Sequence, residues 1–195
     1  MPTPPRKIVV LDRIANPPAR VDAEVLRDFP DAALMVVESL WKPERSKLPN
    51  YAEHAHWDWI RKVGMPMFEF LAVVASGQVE GLAALARSPV PSKMTAGVGA
   101  TYLMFLETAP WNLDEHPHGV RFAGVGSALL EEAVLISLDA GLGGRVQLTA
   151  LPQAERFYRK RGMTELGPSS SSSLVYFEYT EAQAIAFLTS RGVTI

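Results

Sequence analysis

The residues with the clearest chemical potential form a glycine-rich segment at positions 121–129. The segment reads Arg-Phe-Ala-Gly-Val-Gly-Ser-Ala-Leu. Gly124 and Gly126 lack the side chains that would keep an anion away from the backbone. A helix that begins here directs its unpaired N–H groups, and the positive end of its dipole, toward the same place. The segment therefore predicts a binding site for a phosphate or pyrophosphate group.

Three interpretations of this segment compete. A P-loop requires a lysine directly before Ser127, and Gly126 stands there, so a P-loop is excluded. A dinucleotide-binding fingerprint requires a third Gly or Ala where Leu129 stands, together with an acid after the next strand, and residues 145–151 contain none. The third interpretation is structural, with glycines that only allow close packing at a helix start. The segment by itself leaves anion binding and a structural role open.

Strand and helix signals surround the glycine-rich segment on both sides. Alternating or continuous apolar runs predict strands at residues 7–11, 68–75, 79–86, 101–107, 145–150 and 174–179. Helical spacing predicts helices at residues 31–41, ended by Pro43, at 51–63, from 125 to the stop at Gly141, at 153–161, and from the cap Thr180 to 188. This order predicts a mixed α+β layout around one sheet.

Composition places the chain among ordinary soluble proteins. Its 195 residues are 48% hydrophobic and 21% charged, which predicts a single domain over residues 1–195 with a loose tail at 1–5. We expect a cytoplasmic location without membrane insertion, because no apolar run reaches the roughly 18 residues of a membrane span. The absence of cysteine excludes thiolate chemistry, and the net charge of −2 argues against a nucleic-acid surface. Small molecules are the expected ligands.

A second motif lies one predicted strand after the first. Residues 154–163 read Ala-Glu-Arg-Phe-Tyr-Arg-Lys-Arg-Gly-Met. Together with residues 121–130 they resemble the GNAT acetyltransferase superfamily, which pairs Arg/Gln-x-x-Gly-x-Gly/Ala with a downstream Ala-x-x-x-Tyr-x-x-x-Gly-Phe-like segment. The resemblance covers residues 68–179. It departs from the family at Leu151, where an Asn is frequent, and in the long loop at 110–119.

The resemblance implies a fold and a co-substrate. The implied fold is α+β and GNAT-like, with a central, mixed, mostly antiparallel sheet that is flanked by helices and splayed in the middle at an acyl-CoA cleft. The implied co-substrate is acetyl-CoA, with no metal. Its pyrophosphate would lie on the glycine-rich segment, and its pantetheine arm would run between the strands that end near Glu107 and Leu151. The residues implied to bind it are Arg121, Phe122, Ala123, Gly124, Val125, Gly126, Ser127 and Leu106.

The resemblance also assigns candidate catalytic residues. Tyr158 matches the family tyrosine and is the candidate general acid, since a phenol can protonate a leaving thiolate. Glu107, at the end of a predicted strand, is the candidate base, acting directly or through water. A packed aromatic residue and a solvated strand-end acid are the alternative interpretations of these two positions.

Candidate acceptor-binding residues lie in two regions. Trp111 and Asn112 belong to the long loop before the glycine-rich segment, and His54 belongs to the predicted helix at 51–63. Packing or simple exposure is the alternative for each of them. His116 and His118 lie in the same loop, but their spacing does not predict a metal site.

These observations predict a function with alternatives. The resemblance implies an N-acetyltransferase that moves the acetyl group of acetyl-CoA to a primary amine by direct attack. The acceptor is expected to be a small-molecule or peptide amine. A non-catalytic acyl-CoA-binding module is the main alternative, favoured by Leu151, and a nucleotide-binding oxidoreductase is the weaker one. A homodimer formed through an edge strand at 174–179 stays open.

Overall fold

The computed structural model describes residues 3–48, 58–169 and 173–194. The chain divides into two compact units, each described below by itself. The first unit contains Met1–Ala84 and Phe105–Leu129, and the second contains Leu85–Met104 and Leu130–Ile195. Two strands and one helix run from one unit into the other, because the unit boundaries fall inside them.

The first unit is built mainly from antiparallel strands. Its strands are β1 (Arg6–Asp12), β2 (Ala19–Leu26), β3 (Phe68–Ala75), most of β4 (Gln78–Ala86), the end of β6 (Gly99–Thr108) and β7 (Phe122–Ala123). The order in the sheet is β7-β1-β2-β3-β4. Ser76 and Gly77 both have positive φ angles, of 50° and 74°, which is the backbone that a tight β3–β4 hairpin requires.

One helix, α1 (Asp31–Arg45), covers the core of the first unit. Two short 3₁₀ turns accompany it, at Ile60–Lys62 and Pro110–Asn112. The α1 side chains Leu34, Val37 and Trp41 are buried in one apolar cluster with Trp59 and with strand residues that include Phe70 and Leu82. Aromatic residues dominate this cluster, so large rigid side chains hold α1 on the sheet.

The second unit combines a mixed sheet with three helical segments. The strands are β5 (Val90–Pro91), the start of β6, β8 (Val146–Ala150), β9 (Thr164–Pro168) and β10 (Val175–Glu178), in the order β6-β8-β10-β9 with β5 on β6. The helices are the main part of α2 (Val125–Asp139), α3 (Pro152–Lys160) and α4 (Glu181–Ser190). Thr180 and Gln183 form a capping box that starts α4.

Strands β6 and β8 run parallel, and the other pairings in the second unit are antiparallel. The parallel register joins Thr101 to Val146 and Tyr102 to Gln147. Strand β8 continues for three residues beyond this register, to Ala150. A parallel ladder this short is compatible with the predicted splay, which stays a prediction.

The predicted strands and helices are confirmed at most positions, and three differences have physical reasons. Pro43 does not end α1, which continues to Arg45, because a proline in the last turn removes only one helical hydrogen bond. Strand β10 is not an edge, since it lies between β8 and β9, so the predicted dimer edge is wrong. Strands β2, β5, β7 and β9 were not predicted, and three of them have five residues or fewer.

Part of the predicted helix at 51–63 lies outside the described residues. In its described remainder the structure has the 3₁₀ turn Ile60–Lys62. Among the residues that the structure describes, no helix combines the length and the apolar character needed to cross a membrane.

Candidate functional site

The glycine-rich segment forms the junction between β7 and helix α2. Gly124 has a φ of +100°, in the region that favours glycine, and a Cβ atom added to it would meet nothing within 4 Å. The conformation of the backbone therefore requires this glycine, while packing does not. The Ala128 N–H donates to the Gly124 carbonyl at 3.0 Å, so the N–H groups of residues 125–127 precede the first helical bond. The helix start can receive an anion in open space.

Close packing at this helix start is the task of a different glycine. Gly81, on β4, has no side chain, and a Cβ there would lie 2.5 Å from Cγ1 of Val125 and 3.0 Å from Cδ1 of Leu129. Strand β4 and the first turn of α2 can approach each other only because this position is glycine. Two different glycines therefore have the two roles: Gly81 allows close packing, and Gly124 allows the turn.

Three hydrogen bonds and one strand pairing hold the segment that leads into the turn. The Arg121 N–H donates to the Trp111 carbonyl at 3.1 Å, and the Arg121 carbonyl accepts from the Arg13 N–H at 2.8 Å. The Phe122 N–H donates to Oδ1 of Asn112 at 2.7 Å. Strand β7 also pairs with β1, where Ala123 faces Leu11. The Phe122 N–H is thus already bonded inside the protein, and its predicted role in phosphate binding stays a prediction.

The side chain of Arg121 lies at the surface of this segment. Its guanidinium group is 4.8 Å from the centre of the Phe122 ring. Its Nη1 atom donates to Oε1 of Gln78 at 3.4 Å, which is a long and exposed hydrogen bond. A phosphate oxygen can replace so weak a partner, so the predicted role of Arg121 stays a prediction.

A buried carboxylate, Glu80 on β4, organises the loop before the turn. Its Oε2 atom accepts from Nε1 of Trp111 at 2.6 Å and from Nδ2 of Asn112 at 2.8 Å. Its backbone carbonyl accepts from the Ala109 N–H at 2.8 Å. Burial raises the pKa of Glu80, and the hydrogen bonds from Trp111 and Asn112 oppose that rise. Among the described residues, the side chains that donate to this carboxylate are neutral.

A second buried carboxylate, Glu107 near the end of β6, has a charged partner. Its Oε1 atom accepts from Nε of Arg45 at 2.7 Å, and its Oε2 atom accepts from Nε1 of Trp59 at 2.6 Å. The guanidinium group of Arg45 also holds Glu38, with distances of 2.7 and 2.8 Å to its two oxygens. Burial raises the pKa of Glu107, against the lowering effect of Arg45. This carboxylate is fixed within an ion-pair network.

The charge of this network extends to Lys62. Its Nζ atom lies 4.4 Å from the centre of the Phe105 ring and donates to the Asp58 carbonyl at 2.8 Å. Burial lowers the pKa of Lys62, and Glu107 opposes this effect. Burial would also lower the pKa of Arg45, but Glu38 and Glu107 outweigh it and raise that pKa, so Arg45 keeps its charge.

Tyr158, the candidate acid, lies on α3 in the second unit. Only 6% of its surface is exposed, and its ring packs against Phe157 and Phe177, with ring centres 5.1 and 5.7 Å away. Burial raises the pKa of Tyr158, so the phenol keeps its proton across the neutral range. Packing and proton donation are both compatible with this position.

The predicted acceptor residues have internal partners where they are described. Asn112 is buried, and both ends of its amide are bonded to Glu80 and Phe122. The ring of Trp111 contacts Trp41 edge to face, with centres 6.4 Å apart. Leu106, which the resemblance placed at the cofactor instead, is half-buried on β6, and that role stays a prediction. His54 lies outside the described residues. The acceptor roles of these residues stay predictions.

The two loop histidines lie close to each other, and His116 also lies close to Glu44. Nε2 of His116 lies 3.5 Å from Oε2 of Glu44, and its ring centre lies 5.5 Å from that of His118. This contact joins the loop to the last turn of α1. Within the described part of the chain, no group of three metal-ligating side chains comes together.

The sequence did not single out Glu80, Arg45 or Glu38. All three are charged and buried, and charged residues are rarely buried unless they have partners. Their spacing offers no motif, since Glu80 reaches a loop about 30 residues away in the chain. One signal was present: a Glu in the apolar run of β4 had to find a donor.

Comparison with known proteins yields solved structures only. No family model matches the sequence, and no curated protein matches it. The structure of AtaTR bound with AcCoA superposes with a TM-score of 0.55 at 16% identity, over 85% of this chain and 98% of that chain. PaiA N-acetyltransferase from Thermoplasma acidophilum, in complex with coenzyme A, has a TM-score of 0.52 at 18% identity, over 81% and 98%.

A third similar structure belongs to a protein that is described as a GNAT-family member. It is a protein from Desulfovibrio desulfuricans assigned to the GNAT family of acetyltransferases, with a TM-score of 0.52 at 15% identity, covering 82% of this chain and 99% of that chain. The chain has the GNAT fold. The fold predicted from the two motifs is thereby confirmed. In this GNAT fold the glycine-rich turn opens α2, and two buried carboxylates lie on the strands β4 and β6.

Proposed function

We propose that this chain is an acetyl-CoA-dependent N-acetyltransferase. The observation that carries the proposal is Gly124, whose φ of +100° opens helix α2 beside free space in a protein with the GNAT fold. Helix starts of this kind bind the phosphate groups of nucleotides. The N–H groups of Val125, Gly126 and Ser127 would hold the pyrophosphate of the co-substrate, with Arg121 beside it. Two neighbours support the ligand, since one was solved with AcCoA and one with coenzyme A.

The proposed reaction is a direct transfer. The acceptor amine attacks the carbonyl carbon of the thioester, a C–N bond forms and the C–S bond breaks. The amine loses one proton, and the leaving thiolate gains one. We assign the first proton to Glu107, acting directly or through water, and the second to Tyr158. The raised pKa of Tyr158 supports this assignment, because the phenol stays protonated until the thiolate forms.

The acceptor is proposed to be a primary amine of a small molecule or a peptide. The net charge of −2 favours a cationic acceptor over an anionic one. Trp111 and His54 remain candidates to line the acceptor site.

A second function has a specific observation in its favour. Both oxygens of Glu107 already accept hydrogen bonds, from Arg45 and Trp59, and Tyr158 packs between aromatic rings. A chain with these contacts can bind acyl-CoA without turning it over. The second candidate is therefore a non-catalytic acyl-CoA-binding module.

Two measurements test the proposal. Calorimetry should detect coenzyme A binding and no comparable binding of NAD, and the opposite result excludes both candidates. Release of free thiol from acetyl-CoA is then measured with a panel of amines. Turnover with any amine supports the enzyme, and binding without turnover across the panel supports the module.

The acid is tested by Tyr158→Phe, with Tyr102→Phe as the control, because Tyr102 carries a phenol that is half-buried and hydrogen-bonds to Thr149. We expect kcat to fall by about 10²-fold or more in Tyr158→Phe, as is typical of a lost general acid, with an unchanged Kd for coenzyme A. Equal turnover in both variants would remove Tyr158 from the mechanism.

A further inference from the structure

We propose that Asn112 and Glu80 are positioning residues for the phosphate-binding turn. They hold the peptide of Phe122 in place, and that peptide sets where Gly124 and the start of α2 lie. This inference rests on the proposed function for the identity of the ligand, coenzyme A. It also changes the role of Asn112, which the sequence placed at the acceptor.

The connection from Glu80 to the turn consists of two short hydrogen bonds. Nδ2 of Asn112 donates to Oε2 of Glu80 at 2.8 Å, and Oδ1 of Asn112 accepts from the Phe122 N–H at 2.7 Å. Both side chains are buried: Glu80 has 0% of its surface exposed, and Asn112 has 8%. Hydrogen bonds in such surroundings are strong, and leaving one unmade is costly. The amide of Asn112 can therefore adopt one orientation only.

Glu80 also fixes the loop from which Asn112 projects. Its carbonyl accepts from the Ala109 N–H, and its carboxylate accepts from Nε1 of Trp111. The Trp111 carbonyl in turn accepts from the Arg121 N–H at 3.1 Å. Two consecutive residues of the loop thus bind two consecutive residues of the approach to the turn. Glu80 lies at the root of both connections.

The structure shows why such support is needed. The turn is short: β7 ends at Ala123, Gly124 reverses the backbone, and α2 begins at Val125. A shift of the Phe122 peptide is passed on to N–H groups only three residues away. Displacements of about 1 Å at a binding site can cost about 10²-fold in function. A site that is preorganised in this way needs its second layer of contacts to be intact.

The test breaks the connection at Asn112 and keeps it at Glu80. Asn112→Asp places two carboxylates against each other and removes the donor to Glu80. Glu80→Gln is the conservative variant, because its amide oxygen can accept from both Nε1 of Trp111 and Nδ2 of Asn112, as Oε2 of Glu80 does. Asn16→Asp, at an exposed position, controls for the added charge of Asn112→Asp.

Two quantities are measured on the full chain, after thermal unfolding has shown that each variant is folded. The first is hydrogen exchange of the Phe122 amide without ligand. The second is the Kd for coenzyme A by calorimetry. Asn112→Asp should exchange the Phe122 amide about tenfold faster and raise the Kd about tenfold or more, because the turn loses its support. Glu80→Gln should keep both values within about threefold of the natural chain, and Asn16→Asp should change neither.

The outcomes separate this inference from the proposed function. An Asn112→Asp variant with normal exchange and normal Kd overturns the inference, and so does a Glu80→Gln variant that loses the protection of the Phe122 amide as fully as Asn112→Asp. If the natural chain binds no coenzyme A, the proposed function fails, and the exchange of the Phe122 amide still decides whether Asn112 and Glu80 position the turn. An Asn112→Ala variant, which adds no charge, should lose the protection of the Phe122 amide as well.

Discussion

Two buried carboxylates of the first unit, Glu107 and Glu80, show two ways of keeping an acid inside a protein. Each accepts a hydrogen bond of 2.6 Å from a tryptophan Nε1 atom. Glu107 adds an arginine, Arg45, which it shares with Glu38. Glu80 adds only the neutral amide of Asn112, and its Oε1 atom is buried without a hydrogen-bond partner among the described residues.

The difference teaches what each group can do. An arginine beside a buried carboxylate opposes the rise in pKa that burial causes, and removing either partner leaves an uncompensated charge. A carboxylate held by neutral donors alone can take up a proton at modest cost, since protonation removes a buried charge. We therefore expect the Glu107 network to dominate stability and the Glu80 network to respond to pH.

The largest expected effect is the loss of Arg45. In Arg45→Met the carboxylates of Glu38 and Glu107 stay buried without their cation, which typically costs about 3–5 kcal/mol of unfolding free energy. Chemical denaturation at pH 7 measures the loss. Arg61→Met is the matched control, because the Arg61 side chain is 78% exposed and its ion pair with Asp58 is long, at 3.8 Å. Similar stability in the two variants would show that the buried network carries little weight.

A smaller effect compares the two tryptophans. Trp59→Phe and Trp111→Phe each remove one Nε1 donor from a buried carboxylate, a bond worth about 1.5–3 kcal/mol when the acceptor is charged. We expect the larger loss in Trp111→Phe at pH 7, since Glu107 keeps Arg45 and Glu80 keeps only Asn112. The excess loss should shrink at pH 5, where Glu80 can protonate. Denaturation curves at both pH values measure this, and an equal, pH-independent loss contradicts the comparison.

The smallest effect is a slope of stability with pH. Burial raises the pKa of Glu80 above its ordinary value of 4.5, so between 4.5 and the folded pKa the folded state binds more protons than the unfolded state. This contribution to stability is complete below pH 4.5 and is lost as pH rises through the folded pKa. Glu80→Gln removes it, so between pH 4 and pH 8 the natural chain should lose more unfolding free energy than the variant.

Glu165 provides a control for this slope, because its pKa is shifted in the opposite direction. The exposed Arg159 lowers the pKa of Glu165, so its contribution is present above the ordinary pKa and is lost as the pH falls. Glu165→Gln should therefore leave the slope above pH 5 unchanged. Thermal unfolding at a series of pH values separates the two variants, and identical slopes for the natural chain and Glu80→Gln would refute the raised pKa.

Much of the fold could be predicted from local patterns. The Ser76-Gly77 pair marked the β3–β4 hairpin, Thr180 marked the start of α4, and two motifs on either side of β8 indicated the GNAT fold that the structural comparison confirms. The two-residue strand β7 escaped prediction because so short a strand has no period of its own. Its existence depends on pairing with β1, more than one hundred residues earlier in the chain.

In the candidate site, too, some features follow from the local sequence and others from tertiary contacts. The sequence alone indicated the turn at Gly124, because two glycines at the start of a predicted helix are a local property of the chain. Only the tertiary structure decided what supports this turn. Glu80, Asn112 and Phe122 meet through contacts between distant segments, and a buried charge takes its partner from whichever side chain the fold brings near. The same reason placed Arg45 beside Glu107, 62 positions away.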